Sequence, residues 1–281
     1  MPDIRKPLRQ LYDEWRGCTR CSLGERRKAT NGAFVFGEGT PGGILFLVEG
    51  SGGEEEIQGR PFIGESGQLL RRILGQMGLR EEHYYITNLV ACRSCVPWLG
   101  DDGEPRFRYP KKGPPIPMVK DEPPLTTQIS ACRDRLNEQI FLVDPVVIVT
   151  LGGEASSVLA GRTVAITNEH GQTFTTTVPG ASFVPVLTEK KKAWLRVHGG
   201  EMSLPTKPNE VEYFVVPALH PAYVLRKRFD EGQRSPMRQL CQDIWLAVQI
   251  YERYLREGFR MDSPFQAVPN NFDYERTRES Q

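Results

Sequence analysis

The sequence predicts an α/β protein built on a parallel sheet with helices on both faces. Two observations carry that prediction. A short, unbroken apolar run at 44–48 is followed by largely apolar runs at 84–90 and 146–151, and stretches with helical periodicity lie between them. Apolar runs this short suit strands buried on both faces, and strand–helix alternation is how a chain builds a covered parallel sheet. In such sheets, ligands bind in the loops at the carboxyl ends of the strands.

Taken in order, residues 5–28 are basic and helix-prone up to a break at Gly17, where Cys18-Thr19-Arg20-Cys21 begins. The first apolar run, Ile44-Leu45-Phe46-Leu47-Val48, leads into the turn Glu49-Gly50-Ser51-Gly52-Gly53 and then Glu54-Glu55-Glu56. Leu69, Leu70, Ile73, Leu74 and Met77 form one stripe, which predicts an amphipathic helix over 67–77. A second strand is expected over 84–90. Residues 97–124 then hold eight prolines in 28 residues, a density that excludes regular helix and central strand and predicts an inserted loop.

A helix is expected over 130–142, a third strand over 146–151, and a further helix from Glu154 to Leu159. Residues 163–208 form a second insertion that alternates like hairpins at 173–178 and 183–187. It carries Lys190-Lys191-Lys192. A last strand over 213–216 feeds the loop Ala218-Leu219-His220-Pro221, and a closing helix spans 238–253. The expected organisation is one domain over 1–257 with two insertions, followed by a polar tail over 258–281.

Composition narrows the function classes. The 281 residues carry 36 Lys+Arg against 35 Asp+Glu, so no global field selects a charged partner and any nucleic-acid contact must be a local cluster. With 39% hydrophobic residues the chain can build a core. No stretch reaches the ~18 apolar residues of a membrane span. The start, Met1-Pro2-Asp3-Ile4-Arg5-Lys6, lacks a signal peptide's apolar region, so a cytoplasmic address is expected. Six cysteines in a chain this long are no disulfide scaffold; they read as thiols or metal ligands. Cys18 and Cys21 with Cys92 and Cys95 would suit tetrahedral zinc. Cys18, Cys21, Cys92 and Cys132 would suit a [4Fe–4S] cube. Cys241, in an apolar helix, reads as a core residue.

Several strings line up with a known pattern. They are Glu49-Gly50-Ser51-Gly52-Gly53-Glu54-Glu55-Glu56, Gly59-Arg60-Pro61-Phe62-Ile63-Gly64, Gly67-Gln68-Leu69-Leu70, Tyr85-Ile86-Thr87-Asn88-Leu89-Val90-Ala91-Cys92-Arg93, Val149-Thr150-Leu151-Gly152 and His220-Pro221-Ala222-Tyr223-Val224-Leu225-Arg226. In order and content they resemble family 4 uracil-DNA glycosylases, the iron–sulfur branch of the uracil-DNA glycosylase superfamily, over residues 14–160 and 213–250. The resemblance implies a three-layer α/β/α sandwich with a four-stranded parallel sheet, plus the two inserted segments. It also implies a structural [4Fe–4S] cluster on Cys18, Cys21, Cys92 and Cys132. The proline-rich insertion between the last two keeps Cys95 as a possible substitute.

The implied activity is hydrolysis of the N-glycosidic bond of a uracil flipped out of DNA, which requires the base to be stacked, read and released as an anion. The implied roles put Phe62 under the base and give Asn88 to O4 and N3–H. His220 serves O2, the Gly50 and Gly52 backbone the base and flanking phosphate, and Glu55 the C5 edge that rejects thymine. Glu49 serves the attacking water. The family has Gly where this chain has Val48, and Pro where it has Ser51. Those departures, with the two insertions, would fit an enlarged pocket and the excision of a bulkier modified pyrimidine; a separate alternative is a non-catalytic DNA-binding module that keeps the fold and cluster. A related branch traps uracil covalently through a histidine in an inserted loop; none of the four histidines (83, 170, 198, 220) lies in 97–124, and His198, in the second insertion, stays open for such a role.

DNA contact is expected from three basic clusters: Arg226-Lys227-Arg228; Lys190, Lys191 and Lys192 with Trp194 and Arg196; and Arg106-Phe107-Arg108-Tyr109-Pro110-Lys111-Lys112. Basic residues interleaved with aromatics suit phosphates and unstacked bases. The expected partner is DNA, single- or double-stranded, with no membrane and with the protein acting as a monomer.

Overall fold

A computed structural model describes residues 5–108, 111, 115–179, 210–227, 230, 232 and 235–257. Two helices open the chain, α1 (Arg5–Trp15) and α2 (Ser22–Ala29), followed by β1 (Glu38–Gly39), β2 (Ile44–Val48), α3 (Gly53–Gln58) and α4 (Glu65–Gln76). Then come β3 (Tyr84–Asn88), four short strands β4 (Cys95–Pro97), β5 (Phe107–Arg108), β6 (Ile116–Pro117) and β7 (Val119–Asp121), and α5 (Thr126–Val143). The rest is β8 (Val147–Leu151), α6 (Gly153–Ala160), α7 (Ile166–Glu169), β9 (Phe174–Pro179), β10 (Glu210–Ala218), a short helix Pro221–Arg226 and the closing helix Pro236–Glu257.

The main sheet has the order β1-β3-β2-β8-β10-β9, and its four middle strands run parallel. Val48 pairs with both Asn88 and Leu151, and Leu151 pairs with Ala218, so the four carboxyl ends lie in one row. From β2 the chain crosses one way to β3, then back over to β8. The turns after β2 and β8 therefore diverge and leave a crevice between them, the usual ligand position in open α/β sheets. The antiparallel edges β1 and β9 add to the expected four strands.

Strand alternation sends Ile44, Phe46 and Val48 to one face and Leu45 and Leu47 to the other, and every one of them is at most 1% exposed. The first face packs on Leu69, Leu70, Ile73 and Leu74 of α4 and on Leu240 and Ile244 of the closing helix. The second packs on Leu8 and Leu11 of α1 and on Leu136 and Ile140 of α5. This is a sheet between two helical layers, with each fully buried Leu or Ile contributing about 1.5–3 kcal/mol.

Where the structure departs from the sequence reading, capping and pairing are the reasons. The break expected at Gly17 is kept, and beyond it the chain turns through Gly17–Cys21 into a second helix. Helix α4 starts at Glu65, two residues before the expected start at 67, because Gly64 is its N-cap. Helix α5 starts at Thr126, where Gln128 Oε1 accepts from Leu125 N at 2.8 Å. Strand β10 is longer than expected because β9 pairs along it. The proline-rich insertion is not structureless: β4 pairs with β7 and β5 with β6. The expected hairpin strand at 183–187 and the tail 258–281 lie outside the described residues.

Candidate active site

A cleft of about 730 Å³ opens at the carboxyl ends, where Glu49, Gly50, Gly52, Glu55, Phe62 and His220 all line it. Helix α4 and the Gly-rich turn place Phe62. Its φ of 57° is left-handed, a conformation rare and strained for an aromatic residue and usually held only where surroundings enforce it. Two features enforce it here. Gly67 sits so close that any Cβ would overlap the Phe62 carbonyl. The second is Glu55, whose Oε1 accepts from Ile63 N and Gly64 N at 2.9 Å each, while Oε2 accepts from Gly52 N at 3.1 Å. One buried carboxylate thus ties the Gly-rich turn to the Phe62 loop.

His220 is the N-cap of the Pro221–Arg226 helix, and its Nδ1 accepts from Ala222 N at 3.0 Å. A ring that accepts at Nδ1 carries its proton at Nε2. Burial, and secondarily the Arg226 cation, pulls its pKa down to about 4, so the ring is neutral near pH 7. It meets Phe62 edge to face, 6.1 Å between centroids. Gly152 lies against it with φ of 104°, and a Cβ there would touch the His220 ring.

Asn88 ends β3 and is 1% exposed, yet neither Oδ1 nor Nδ2 has a partner. It does not itself line the cleft but stands opposite Val48, one residue before the lining Glu49. Buried polar groups are nearly always paired, so an amide with neither atom bonded to protein is unusual. Burial, and then the neighbouring Glu154, hold the Glu49 carboxyl above the ordinary range.

Other residues at the cleft had no role assigned from sequence. The Ser51 hydroxyl is buried and unpartnered. Asp121, Glu122 and Pro123 bring the first insertion to the rim, and Ile166 and Thr167 bring the second. Arg93 pairs with Asp121 at 2.6 Å, and Lys120 with Glu122 at 2.6 Å, so the rim carboxylates are largely neutralised. Ser51 was visible only as an unusual residue in a turn, and nothing in a proline-rich run shows which end folds back to a cleft. Arg226 is exposed and lines the cleft; Lys227 is exposed beside it. Arg228, Lys191 and Lys192, with Trp194, Arg196 and His198, lie outside the described residues. Within the first insertion Trp98 is 51% exposed, Phe107 41% and Ile116 51%.

Across the sheet from α4, Cys18, Cys21, Cys92 and Cys132 line one small cavity beneath Trp15 and Arg20. Cys95 is not among them; it faces Arg26, Arg93, Glu56 and Asp121. The Cys18 sulfur accepts from Arg20 N at 3.5 Å, and the Cys132 sulfur from Arg135 Nη2 at 3.5 Å. Burial pushes the Cys92 thiol up to about 11, with Arg27 opposing the shift. Among the described residues, no three His, Cys, Asp or Glu side chains converge on a single-ion site. No helix among them is long and apolar enough to cross a membrane.

A buried amide without a protein partner, a neutral imidazole and an aromatic ring in a left-handed conformation thus stand together at the switch point of a parallel sheet. The sequence matches the family described as the uracil DNA glycosylase superfamily over residues 36–245, and the chain belongs to that family. Among relatives, it is 32% identical over 239 residues to the type-4 uracil-DNA glycosylase of Thermotoga maritima, covering 84% of this chain and 93% of that protein. The type-4 enzyme of Sulfurisphaera tokodaii is 31% identical over 78% of this chain and 76% of its own length. That of Saccharolobus solfataricus is 35% identical over 53% and 57% respectively.

Proposed function

We propose that this chain is a uracil-DNA glycosylase, a hydrolase that cuts the N-glycosidic bond of uracil in DNA for base excision repair. The observation that carries the reading is the buried Asn88 amide with both polar atoms unpartnered beside the cleft. Nδ2–H donates to uracil O4 and Oδ1 accepts from N3–H; cytosine offers the reverse polarity at both atoms. Phe62 is the stacking wall. As the C1′–N1 bond breaks, its electron pair moves onto the base, and neutral His220 donates Nε2–H to the developing charge at O2. Water adds to C1′ and loses a proton to Glu49, whose raised pKa favours accepting it. The products are free uracil and an abasic sugar. Glu55, fixed by three backbone donors, forms the wall at C5 where a thymine methyl would collide. Gly50 and Gly52 let the turn approach the base and its phosphate. The relatives' shared name favours uracil over the bulkier pyrimidine and the binding module. DNA carrying labelled uracil should release the free base; release of uracil still joined to sugar would contradict the reading.

Arg226 and Lys227 at the cleft rim are read as phosphate contacts, with Trp98 and Phe107 of the first insertion as exposed platforms for unstacked bases. Arg226→Ala is expected to weaken DNA binding and to reduce the slope of log K against log salt by about 1. Titration at several salt concentrations checks this, and an unchanged slope would remove Arg226 from the interface.

The four clustered cysteines fit a [4Fe–4S] cluster: the donors are all thiols, they share one cavity, and backbone and guanidinium N–H groups point at two of the sulfurs. When bound, the cluster would supply a structural cross-link between the chain start, the end of β3 and α5. Cys132→Ser should abolish the broad absorption near ~400 nm of anaerobically purified protein, whereas Cys95→Ser should retain it. The opposite pattern would move the ligand set to Cys95.

A further inference from the structure

Arg135 lies on α5 one turn beyond Cys132, and it is 0% exposed. Its Nη2 donates to the carbonyls of Asn88 at 2.8 Å and Leu89 at 2.6 Å, and to the Cys132 sulfur at 3.5 Å. Its Nη1 donates to Gln139 Oε1 at 2.5 Å and to Thr87 Oγ1 at 3.4 Å. Gln139 in turn donates to the Phe36 carbonyl at 2.8 Å and to the Tyr85 hydroxyl at 3.1 Å, so the guanidinium sits in a rigid buried network. Nε has no partner. No ion pair to Arg135 occurs among the described residues, although a buried charge ordinarily demands one. Of its hydrogen-bond partners, only the Cys132 sulfur can carry a negative charge, as a thiolate ligand.

We propose that Arg135 is a positioning residue whose counter-charge is the filled thiolate site and whose grip on the Asn88 and Leu89 carbonyls makes the placement of the reading amide depend on that site. The proposal rests on the cluster reading above. Four thiolates holding a cluster form a net anionic group beside the guanidinium. With the site filled, the cation is compensated and the end of β3 is pinned to α5. With the site stripped, the same cation is stranded in the core, and relief comes most readily by movement of the segment it grips. Asn88 lies in that segment.

The test compares anaerobically purified wild type, Arg135→Met and Arg135→Lys, each before and after chelator removes the iron, with iron content measured in every sample. Stripping should lower the melting temperature of wild type strongly. In Arg135→Met, which keeps the stem but not the charge, that drop should be at most half as large. Arg135→Lys should show the wild-type drop. Its shorter side chain sets the ammonium short of the Nη2 position and lacks the second nitrogen that Gln139 and Thr87 hold, so the grip on the two carbonyls loosens and KM for uracil-containing DNA should rise several-fold with kcat little changed. Equal drops in wild type and Arg135→Met would overturn the proposal. Should Arg135→Met fail to fold, a halved drop or an unchanged KM in Arg135→Lys would overturn it. Iron-free wild type would sink the cluster reading and this proposal together. Iron-bearing protein that shows the drops but excises nothing would sink only the uracil reading.

Discussion

Asn88→Ala is expected to lower kcat/KM on uracil-containing DNA by about 10²–10⁴-fold while leaving the protein as stable as wild type or more so. The two effects come from one fact. Both amide atoms are buried with no protein partner, so they contribute no intramolecular hydrogen bond to folding and impose a desolvation cost. Removing them relieves that cost and deletes the bonds to O4 and N3–H, which form only when uracil is bound. Steady-state excision beside a urea titration checks both halves. A variant that loses activity in proportion to lost stability would make Asn88 a structural residue.

His220→Ala is expected to lower kcat by about 10²–10³-fold with KM little changed, because its donor acts where charge develops. Unlike Asn88, His220 also holds the fold: its Nδ1 caps the Pro221–Arg226 helix, a contribution of about 1 kcal/mol. Burial of the ring, with the Arg226 cation beside it, fixes the sign of a pH effect. The folded pKa of about 4 lies below the ordinary histidine value, so the folded state resists protonation. The stabilisation is full above about pH 6.5 and is lost as pH falls through that range toward 4, on the order of 3 kcal/mol. Urea midpoints at pH 7 and pH 4.5 should therefore fall further for wild type than for His220→Ala. Equal falls would mean that the ring is exposed and titrates normally.

The parallel core was legible because strands buried on both faces must be apolar throughout, as at Ile44–Val48. The edges were not: β1 is a two-residue strand at Glu38–Gly39 with no pattern of its own. Of the site, the Gly-rich turn, Phe62, Asn88 and His220 were legible through their motif strings, and the structure brings their loops to one row of strand ends. The three backbone donors on Glu55 were not legible, because three consecutive glutamates read as a solvated helix start. Gly67 shows a similar limit. Within an amphipathic stripe it looks like a weak helix residue, and only the path of the Phe62 carbonyl explains it. Arg135 is the extreme case, since a polar residue in a helix reads as exposed until its buried partners are seen. The rim positions Asp121 and Glu122 depend on how β7 pairs with β4, and short strands rich in proline carry little register information.

The most direct test of the central claim is strand cleavage by alkali after incubating the anaerobically purified protein with matched oligonucleotides bearing uracil, thymine or cytosine at one position. Cleavage at uracil alone, absent from Asn88→Ala, is the result expected of the cleft described above. Intact, iron-bearing protein that leaves the uracil strand uncut, or cuts thymine or cytosine equally well, would contradict it.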